Sequence, residues 1–589
     1  MFGHQTRLLA LSGCLLAAVG APAADYEVLR SETTEYSAAS DLLSAGLGLA
    51  GLQAIAPVFA DPQAPTAEEL RRLAIHNAWN ALAVLAPSGG LGTGALFNDL
   101  PPVPGRETSA LLRLRQASHP FRVLVQVPES LARDPACLLV APASGSRGVY
   151  GAIQLAGPAG LLRGCAVVYT DKGAGTDFQT FDDARTPDLM GRRVDAADRP
   201  LSFDLAAPAD RTDTRVAVKH VHSGDHPEAD WGRHVLAAAA FGRAQLREIL
   251  GAEVSIRVLA VGLSNGGGAV LRAAEGDTEA VLDAVVAVMP NVTAPGQRPL
   301  FDYATLAALY QPCTLADAER TLSLPLGNPL LTLIGQQRCN SLLAAGLLNE
   351  ATAEAATQML LEAGFDDAAL RLSASNVALD LWRIVASSYA SAYLRRGAGD
   401  MPCGYALNAV GADDGQRAAW WATHSGIGPG GGIVLADDLA EGDDGTLPGL
   451  RCLRALWTGD NSDSTELRAA VEQTRATARL PEIPVLIVHG REDGLIPAAL
   501  SSRPYVAAAR DRGATALAYW EVDRAQHFDV LKNVPGLGER LVPILPYGWA
   551  AIKHVFQVLE GERELGPDRA FEPSPAQAPL TLQGMGLAD

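Results

Sequence analysis

The chain has 589 residues, of which 48% are hydrophobic and 19% charged, so it can bury a large core and is not a disordered protein. Its 66 acidic residues outnumber the 47 basic ones, which gives a formal net charge of -19. This negative charge argues against nucleic acid and anionic membrane surfaces as partners, because both would repel it.

The first 24 residues have the pattern of a secretory signal peptide. Arg7 supplies a positive charge, residues 8–20 are mostly apolar, and small residues at 21–23 suit signal peptidase. The pattern predicts cleavage near Ala23 or Ala24 and a secreted product, either extracellular or periplasmic. A lipoprotein signal and a buried N-terminal helix are the alternatives. No later run of about 20 residues is uniformly apolar, so no membrane span is predicted.

Six cysteines remain after the predicted signal peptide, and an even number in an exported chain permits disulfides. They are Cys137, Cys165, Cys313, Cys339, Cys403 and Cys452. The sequence does not determine their pairing, although closeness along the chain favours Cys313–Cys339 and Cys403–Cys452. None of the six has the C-x-x-C spacing of a zinc site.

Short apolar runs and helical patterns follow one another along much of the chain. A helical pattern at 70–85 lies in a poorly marked N-terminal region. The apolar runs lie at 121–127, 137–141, 165–170, 255–261, 284–289, 484–489 and 514–522, and further helical patterns at 229–250, 266–274 and 498–512. Apolar runs of this length, alternating with helices, predict an α/β fold with a doubly wound, mostly parallel sheet.

The alternation stops in a long segment that is rich in alanine and leucine. Helical patterns at 342–364 and 377–396 predict a mainly helical insertion, which we expect to cap the carboxyl edge of the sheet. A glycine-rich loop at 426–432 lacks the Lys-Ser/Thr ending of a phosphate-binding loop. The predicted division is a signal peptide (1–24), an N-terminal region packed on the catalytic domain (25–120), two catalytic segments (121–292 and 481–589) and the helical cap between them (293–480).

The strongest local motif is Gly262-Leu263-Ser264-Asn265-Gly266, followed by two further glycines. It has the G-x-S-x-G form and lies between a predicted strand and a predicted helix, where a nucleophile elbow occurs. Glycine at both ends removes Cβ atoms that would clash with the neighbouring strand and helix. The motif also occurs in purely structural turns, but this position favours Ser264 as a nucleophile.

A serine nucleophile needs a general base and an acid that orients the base. In α/β-hydrolases the three residues follow in the order serine, acid, histidine. Asp493 follows the run at 484–489 and His527 follows the last predicted strand, so both should lie at the sheet edge that carries Ser264. Glu492 is the rival acid. A solvated turn at Asp493 and a surface position for His527 are the non-catalytic alternatives.

An oxyanion hole needs two backbone N–H donors. We predict the amide of Asn265 as one donor and the loop at 143–148 as the source of the other, with Ser144 or Gly145 as the candidates. The three histidines at 219–226 could bind a metal, but their spacing matches no familiar signature, so a polar loop near the cleft is the preferred interpretation. We therefore predict neither a metal nor a cofactor.

With these residues identified, the chain resembles the D-(−)-3-hydroxybutyrate oligomer hydrolases, secreted bacterial enzymes of polyhydroxybutyrate breakdown. The resemblance covers most of the mature chain and rests on short motifs at 142–151, 169–177, 219–222, 262–268 and 526–529. It implies a serine esterase that hydrolyses short (R)-3-hydroxybutyrate oligoesters, dimers included, to the monomer. The expected partner is therefore a small-molecule oligoester; the oligomeric state of the protein is not predicted.

Three other functions remain open from the sequence. Another exported esterase, similar to a tannase or a feruloyl esterase, would use the same three residues, and so would a peptidase on the same scaffold. A catalytically silent binding protein could also keep this fold. The intact order of Ser264, Asp493 and His527 counts against the silent protein.

Overall fold

The computed structural model describes residues 25–133, 135–195, 200–206, 213–324, 326–423, 425, 431–574 and 579–588. The predicted signal peptide at 1–24 lies outside the described residues, as does most of the glycine-rich loop at 426–432. Among the described residues, no helix is both long enough and apolar enough to cross a membrane.

A ten-stranded sheet forms the centre of the molecule. Its strands, numbered in chain order, are β1 (Tyr26–Tyr36), β2 (Gly105–Leu114), β3 (Phe121–Pro128), β4 (Ala136–Pro142), β5 (Ala166–Thr170), β6 (Ile256–Leu263), β7 (Ala284–Val288), β8 (Val485–Gly490), β9 (Leu517–Val522) and β10 (Arg569–Phe571). Their spatial order is β1-β2-β3-β5-β4-β6-β7-β8-β9-β10. The pairs β1–β2, β2–β3 and β3–β5 are antiparallel, and every other pair is parallel. This mostly parallel sheet confirms the predicted fold class.

Helices cover both faces of the sheet, so most central strands are buried on two sides. Helices Ile153–Gly160 and Leu545–Leu559 belong to the core on one face. Helices Pro227–Leu250, Asn265–Gly276 and Ser502–Asp511 belong to the core on the other face. Neighbouring residues of one strand alternate between the two cores, as strand geometry requires. This two-sided burial explains why the sequence shows continuous apolar runs at these strands.

All seven apolar runs in the sequence are strands of this sheet, from β3 to β9. The helical pattern at 70–85 corresponds to helix Ala67–Leu82, which begins with a capping box between Thr66 and Glu69. The N-terminal region also contributes β1 and β2, which the sequence did not predict. Residues 25–120 therefore extend the sheet in addition to packing on it.

The segment between β7 and β8 is mainly helical. Its helices are Leu300–Tyr310, Ala318–Ser323, Pro329–Ala344, Ala353–Glu362, Asp367–Leu370, Ser373–Ala378, Leu381–Tyr393, Asp414–Ala419, Leu447–Thr458 and Ser462–Glu472. It also contains a two-stranded antiparallel sheet of Tyr405–Ala409 and Ile433–Asp437. The sequence did not predict these two strands. Where the catalytic part ends and the cap begins stays a prediction.

Three disulfides lie in the described chain. Cys313–Cys339 and Cys403–Cys452, the two pairs favoured by closeness along the chain, are both formed within the helical segment. The third, Cys137–Cys165, joins β4 to the residue before β5. Each disulfide therefore links elements that already pack side by side.

Candidate active site

Ser264 occupies a strained turn between β6 and helix Asn265–Gly276. Its backbone has φ 58° and ψ -123°, a conformation that costs energy for any residue other than glycine. A Cβ atom on Gly262 would lie 2.2 Å from the carbonyl oxygen of Gly266, and a Cβ atom on Gly266 would lie 2.5 Å from that of Pro142. Only glycine fits at both positions, so the turn has the geometry of a nucleophile elbow.

The three residues predicted as a catalytic triad are in hydrogen-bond contact. His527 Nε2 lies 2.9 Å from Ser264 Oγ, and His527 Nδ1 lies 2.7 Å from Asp493 Oδ2. Asp493 follows β8 and His527 follows β9, so their loops leave the same edge of the sheet as the turn after β6. The imidazole is thus placed between the hydroxyl and the carboxylate, as a base that activates a serine must be.

Asp493 is held as a carboxylate. Burial alone would raise its pKa, but the charge of His527 and hydrogen bonds from His489 and His527 hold the pKa well below its ordinary value. The amides of Leu495 and Ile496 donate to the other carboxylate oxygen at 2.9 and 2.7 Å, which fixes its orientation. An ionised, fixed Asp493 can keep the proton of His527 on Nδ1 and stabilise the imidazolium.

Glu492, the rival acid, contacts the helical segment instead. Its carboxylate accepts a hydrogen bond at 2.5 Å from Arg371, and no contact to His527 occurs in the described part of the chain. Burial raises the pKa of Glu492, and the charge of Arg371 opposes only part of this rise. The structure therefore brings Asp493, and not Glu492, to the histidine.

Of the predicted oxyanion donors, Asn265 follows Ser264 directly in the chain, and the loop with Ser144 and Gly145 begins next to the same turn. The amide of Asn265 opens a helix and so has no acceptor within that helix. The loop that carries Ser144 and Gly145 follows β4, whose last carbonyl approaches Gly266. Gly145 has φ +51°, and its carbonyl accepts a hydrogen bond at 2.5 Å from Lys172. The oxyanion role of Asn265, Ser144 and Gly145 stays a prediction.

A second series of hydrogen-bonded side chains, which the sequence did not predict, supports the loop after β4. Ser146 Oγ lies 2.7 Å from His220 Nδ1, and His220 Nε2 lies 2.5 Å from Glu228 Oε1; all three residues are buried. The His220 ring packs edge-on against Tyr389, whose hydroxyl accepts a hydrogen bond from the Asn265 side chain at 2.8 Å. The loop after β4 and the turn after β6 are thus tied to one buried network.

Of the three histidines at 219–226, His220 and His226 share the carboxylate of Glu228, at 2.5 and 3.4 Å, and His222 has a partner of its own. His222 Nδ1 accepts from a backbone amide at 2.9 Å, and burial lowers the pKa of His222 to about 3. His226 Nε2 is 2.9 Å from the carbonyl oxygen of Ala470, and His220 lies between Ser146 and Glu228 as described above. No cluster of three His, Cys, Asp or Glu suited to a metal occurs among the described residues. Residues Lys219–His222 form a short helix and the three histidines are buried, so the first half of this stretch is not the polar loop expected from the sequence.

The helical segment covers the site. Asn376 donates a hydrogen bond at 3.0 Å to the carbonyl of Gly494, next to Asp493, and Tyr389 contacts Asn265 next to Ser264. Ser264 is 6% exposed and His527 only 3%. The three residues are therefore enclosed, which strengthens electrostatic interactions between them.

Replacing Gly262 by Ala is expected to destabilise the protein by about 2–4 kcal/mol, because the added methyl group would overlap the carbonyl of Gly266. It should also lower esterase activity, since the elbow would have to shift. Denaturant unfolding followed by circular dichroism, together with initial rates on a neutral ester, would measure both effects.

Gly276 provides the matched control, since it ends the helix that follows the elbow. A Cβ atom there would meet open space, so Gly276→Ala should change the unfolding free energy by less than about 1 kcal/mol. Equal stability of the two variants would contradict the steric role of Gly262.

The chain is similar to known proteins along most of its length. A family model described as 3HB-oligomer hydrolase matches residues 22–578. A D-(-)-3-hydroxybutyrate oligomer hydrolase of Burkholderia ambifaria is 36% identical, over 92% of this chain and 88% of its own. A protein of the same name from Paracidovorax citrulli is also 36% identical, over 87% and 84% of the two chains.

Two solved structures also match, at low identity. One is a rice cell wall degrading esterase, LipA from Xanthomonas oryzae, with 12% identity and a TM-score of 0.38, over 78% of this chain and 92% of that one. The other is lipase A from Candida antarctica, with 12% identity and a TM-score of 0.34, over 82% and 84%.

Proposed function

Because the chain belongs to the 3HB-oligomer hydrolase family, we propose that it is a serine esterase that hydrolyses short (R)-3-hydroxybutyrate oligoesters, dimer and longer, to 3-hydroxybutyrate. The observation that carries the catalytic assignment is the hydrogen-bonded chain Ser264–His527–Asp493 at the carboxyl edge of the sheet. A hydrogen-bonded series of this kind hydrolyses esters or amides without a metal or cofactor, and membership of the family favours the ester.

In the first step, Ser264 attacks the ester carbonyl while His527 takes the proton from its hydroxyl. Asp493 holds the Nδ1 proton of His527 and stabilises the positive charge that forms. The amide of Asn265 and the loop at Ser144 and Gly145 would donate hydrogen bonds to the carbonyl oxygen as it becomes negative. His527 then gives its proton to the leaving hydroxyl group, and an acyl-enzyme remains.

In the second step, a water molecule replaces the leaving alcohol. His527 takes a proton from the water, which attacks the acyl carbonyl, and then returns a proton to Ser264 as the ester bond to the enzyme breaks. The helical segment encloses the site and so restricts the access of bulk water to the acyl-enzyme.

Substrate comparison tests the proposed activity. The purified protein would be incubated with hydroxybutyrate dimer, trimer and two aromatic esters, methyl gallate and methyl ferulate, and the products separated by chromatography. We expect monomer release from dimer and trimer, with much slower turnover of the aromatic esters. Faster aromatic turnover would favour the tannase-like or feruloyl-esterase-like alternative, and no turnover of any ester would favour a silent binding protein.

We further propose that the mature protein begins after Ala23 or Ala24 and acts outside the cytoplasm, in the periplasm or the medium. The three disulfides support this location, because disulfides form and persist in oxidising compartments. Intact mass spectrometry of protein from its producing cells should show a chain that starts at residue 24 or 25 with six oxidised cysteines. A full-length chain with free thiols would contradict the proposal.

A further inference from the structure

Arg147 is a buried cation without an internal partner. The residue is 8% exposed, and in the described part of the chain its guanidinium makes neither an ion pair nor a hydrogen bond. Burial lowers the pKa of Arg147 to about 10, so the group still carries its charge at neutral pH. An unpaired charge in such a position costs free energy.

The other buried arginines of the described chain are paired. Arg71 binds Glu107 at 3.0 Å, Arg122 binds Asp177 at 2.6 Å, and Arg338 binds Asp444 at 2.5 Å. The fold thus supplies a carboxylate to each of these three guanidinium groups, although none is more than 5% exposed. Arg147 is the exception, which suggests that its anion comes from outside the chain.

The position of Arg147 relates it to the active site. It follows the predicted oxyanion donors Ser144 and Gly145, and its amide donates to the carbonyl of Ser144 at 3.3 Å. Its neighbour Ser146 is bonded to His220, which leads through Tyr389 to Asn265. Buried contacts thus connect the loop that carries Arg147 to Asn265, the residue next to Ser264.

A small cavity lies next to the Arg147 side chain. It is lined by Arg147, Tyr150, Thr176, Trp421 and Ala78 among others. Ala78 belongs to helix Ala67–Leu82, which also packs against the short helix Asp529–Asn533 that begins two residues after His527. The cavity thus lies between the loop after β4 and a helix that contacts the segment following the catalytic histidine.

The substrate class named above carries the missing anion. A hydroxybutyrate oligomer ends in a free carboxylate, and in its last unit only a short linker of three atoms separates this carboxylate from the ester carbonyl. We propose that Arg147 binds the terminal carboxylate on the alcohol side of the ester that Ser264 attacks. The planar guanidinium can donate one N–H hydrogen bond to each carboxylate oxygen in a bidentate pair. The enzyme would then remove monomers from the carboxyl end of the oligomer.

This inference rests on the proposed function, and paired substrates test the two separately. The wild type and the variants Arg147→Gln and Arg147→Lys would be assayed on free-acid dimer, on its methyl ester and on p-nitrophenyl butyrate. Arg512→Gln, which changes an exposed arginine, is the control. We expect wild type to prefer the free acid by about 10- to 100-fold in kcat/KM, mainly through KM. Arg147→Gln should lose this preference and Arg147→Lys should keep part of it.

Two further readouts separate ligand binding from a structural role. Arg147→Gln should lose at least about tenfold more activity on the free-acid dimer than on neutral p-nitrophenyl butyrate, and its melting temperature should not fall, because the change removes an unpaired buried charge. Loss of neutral-ester activity together with a lower melting temperature would overturn the inference.

Two other outcomes would overturn different parts of the proposal. A wild type that hydrolyses the free acid and the methyl ester equally well would overturn the role of Arg147 while leaving the proposed activity intact. A wild type that hydrolyses p-nitrophenyl butyrate but neither dimer would overturn the proposed substrate, and the role of Arg147 with it.

Discussion

Ser264→Ala is expected to lower kcat on hydroxybutyrate dimer by about 10⁴-fold or more and to abolish labelling by a fluorophosphonate probe. The variant removes the hydroxyl that lies 2.9 Å from His527 Nε2 and leaves the base without a group to activate. Alanine is smaller than serine and keeps the turn, so the fold should survive. Monomer release measured by chromatography and gel-based probe labelling would report the two effects independently.

Ser130→Ala is a suitable control, because Ser130 is exposed and lies in the turn after β3. It should keep wild-type rates and labelling. Circular dichroism should be the same for both variants. If Ser264→Ala were still labelled as strongly as wild type, Ser264 would not be the nucleophile, and the serine that carries the probe would have to be located by mass spectrometry.

The central strands were predictable because each is marked by an apolar run within its own few residues. The run of β7, for example, is continuously apolar and fully buried, because helices cover both faces of the sheet there. β1 carries no such signal: it forms the edge of the sheet, has no buried residue and contains several charged ones. β1 pairs with β2, which lies far along the chain, and the residues of β1 do not identify that partner.

The contact among Ser264, His527 and Asp493 was predictable from their order in the chain and from the strands that they follow. The turn after β6 and the loops after β8 and β9 lie at one sheet edge because parallel strands end there together. The choice between Asp493 and Glu492 was not determined by the sequence, since adjacent residues in a turn point in different directions. In the structure Asp493 contacts His527 and Glu492 contacts Arg371.

The supporting polar groups lay beyond sequence reasoning. Ser146 and His220 are 74 residues apart, so their contact is a product of the fold alone. The isolation of Arg147 is likewise a three-dimensional property, because a chain with 66 acidic residues offers every arginine a possible partner until the structure is known. The polar network around Ser264 is therefore less predictable from the sequence than the motif that contains Ser264.

Asp493→Asn is expected to lower kcat by about 10³- to 10⁴-fold with little change in KM. The amides of Leu495 and Ile496 donate to Oδ1, so the asparagine oxygen should take that position and the NH₂ group should face His527 Nδ1. Nδ1 would then become an acceptor, and the proton would move to Nε2. A histidine protonated on Nε2 cannot take the proton of Ser264, although all three side chains remain in place. Initial rates on the dimer and on a neutral ester would measure the loss.

Glu492→Gln is the matched control, one residue away on the same turn. Its carboxylate binds Arg371 and not His527, so the change should weaken one contact to the helical segment and alter kcat by less than about tenfold. Both variants replace a carboxylate by an amide of similar size, and therefore the difference between them isolates the orientation of His527. If Glu492→Gln lost activity while Asp493→Asn retained it, Glu492 would be the acid, and the turn after β8 would have to rearrange when substrate binds.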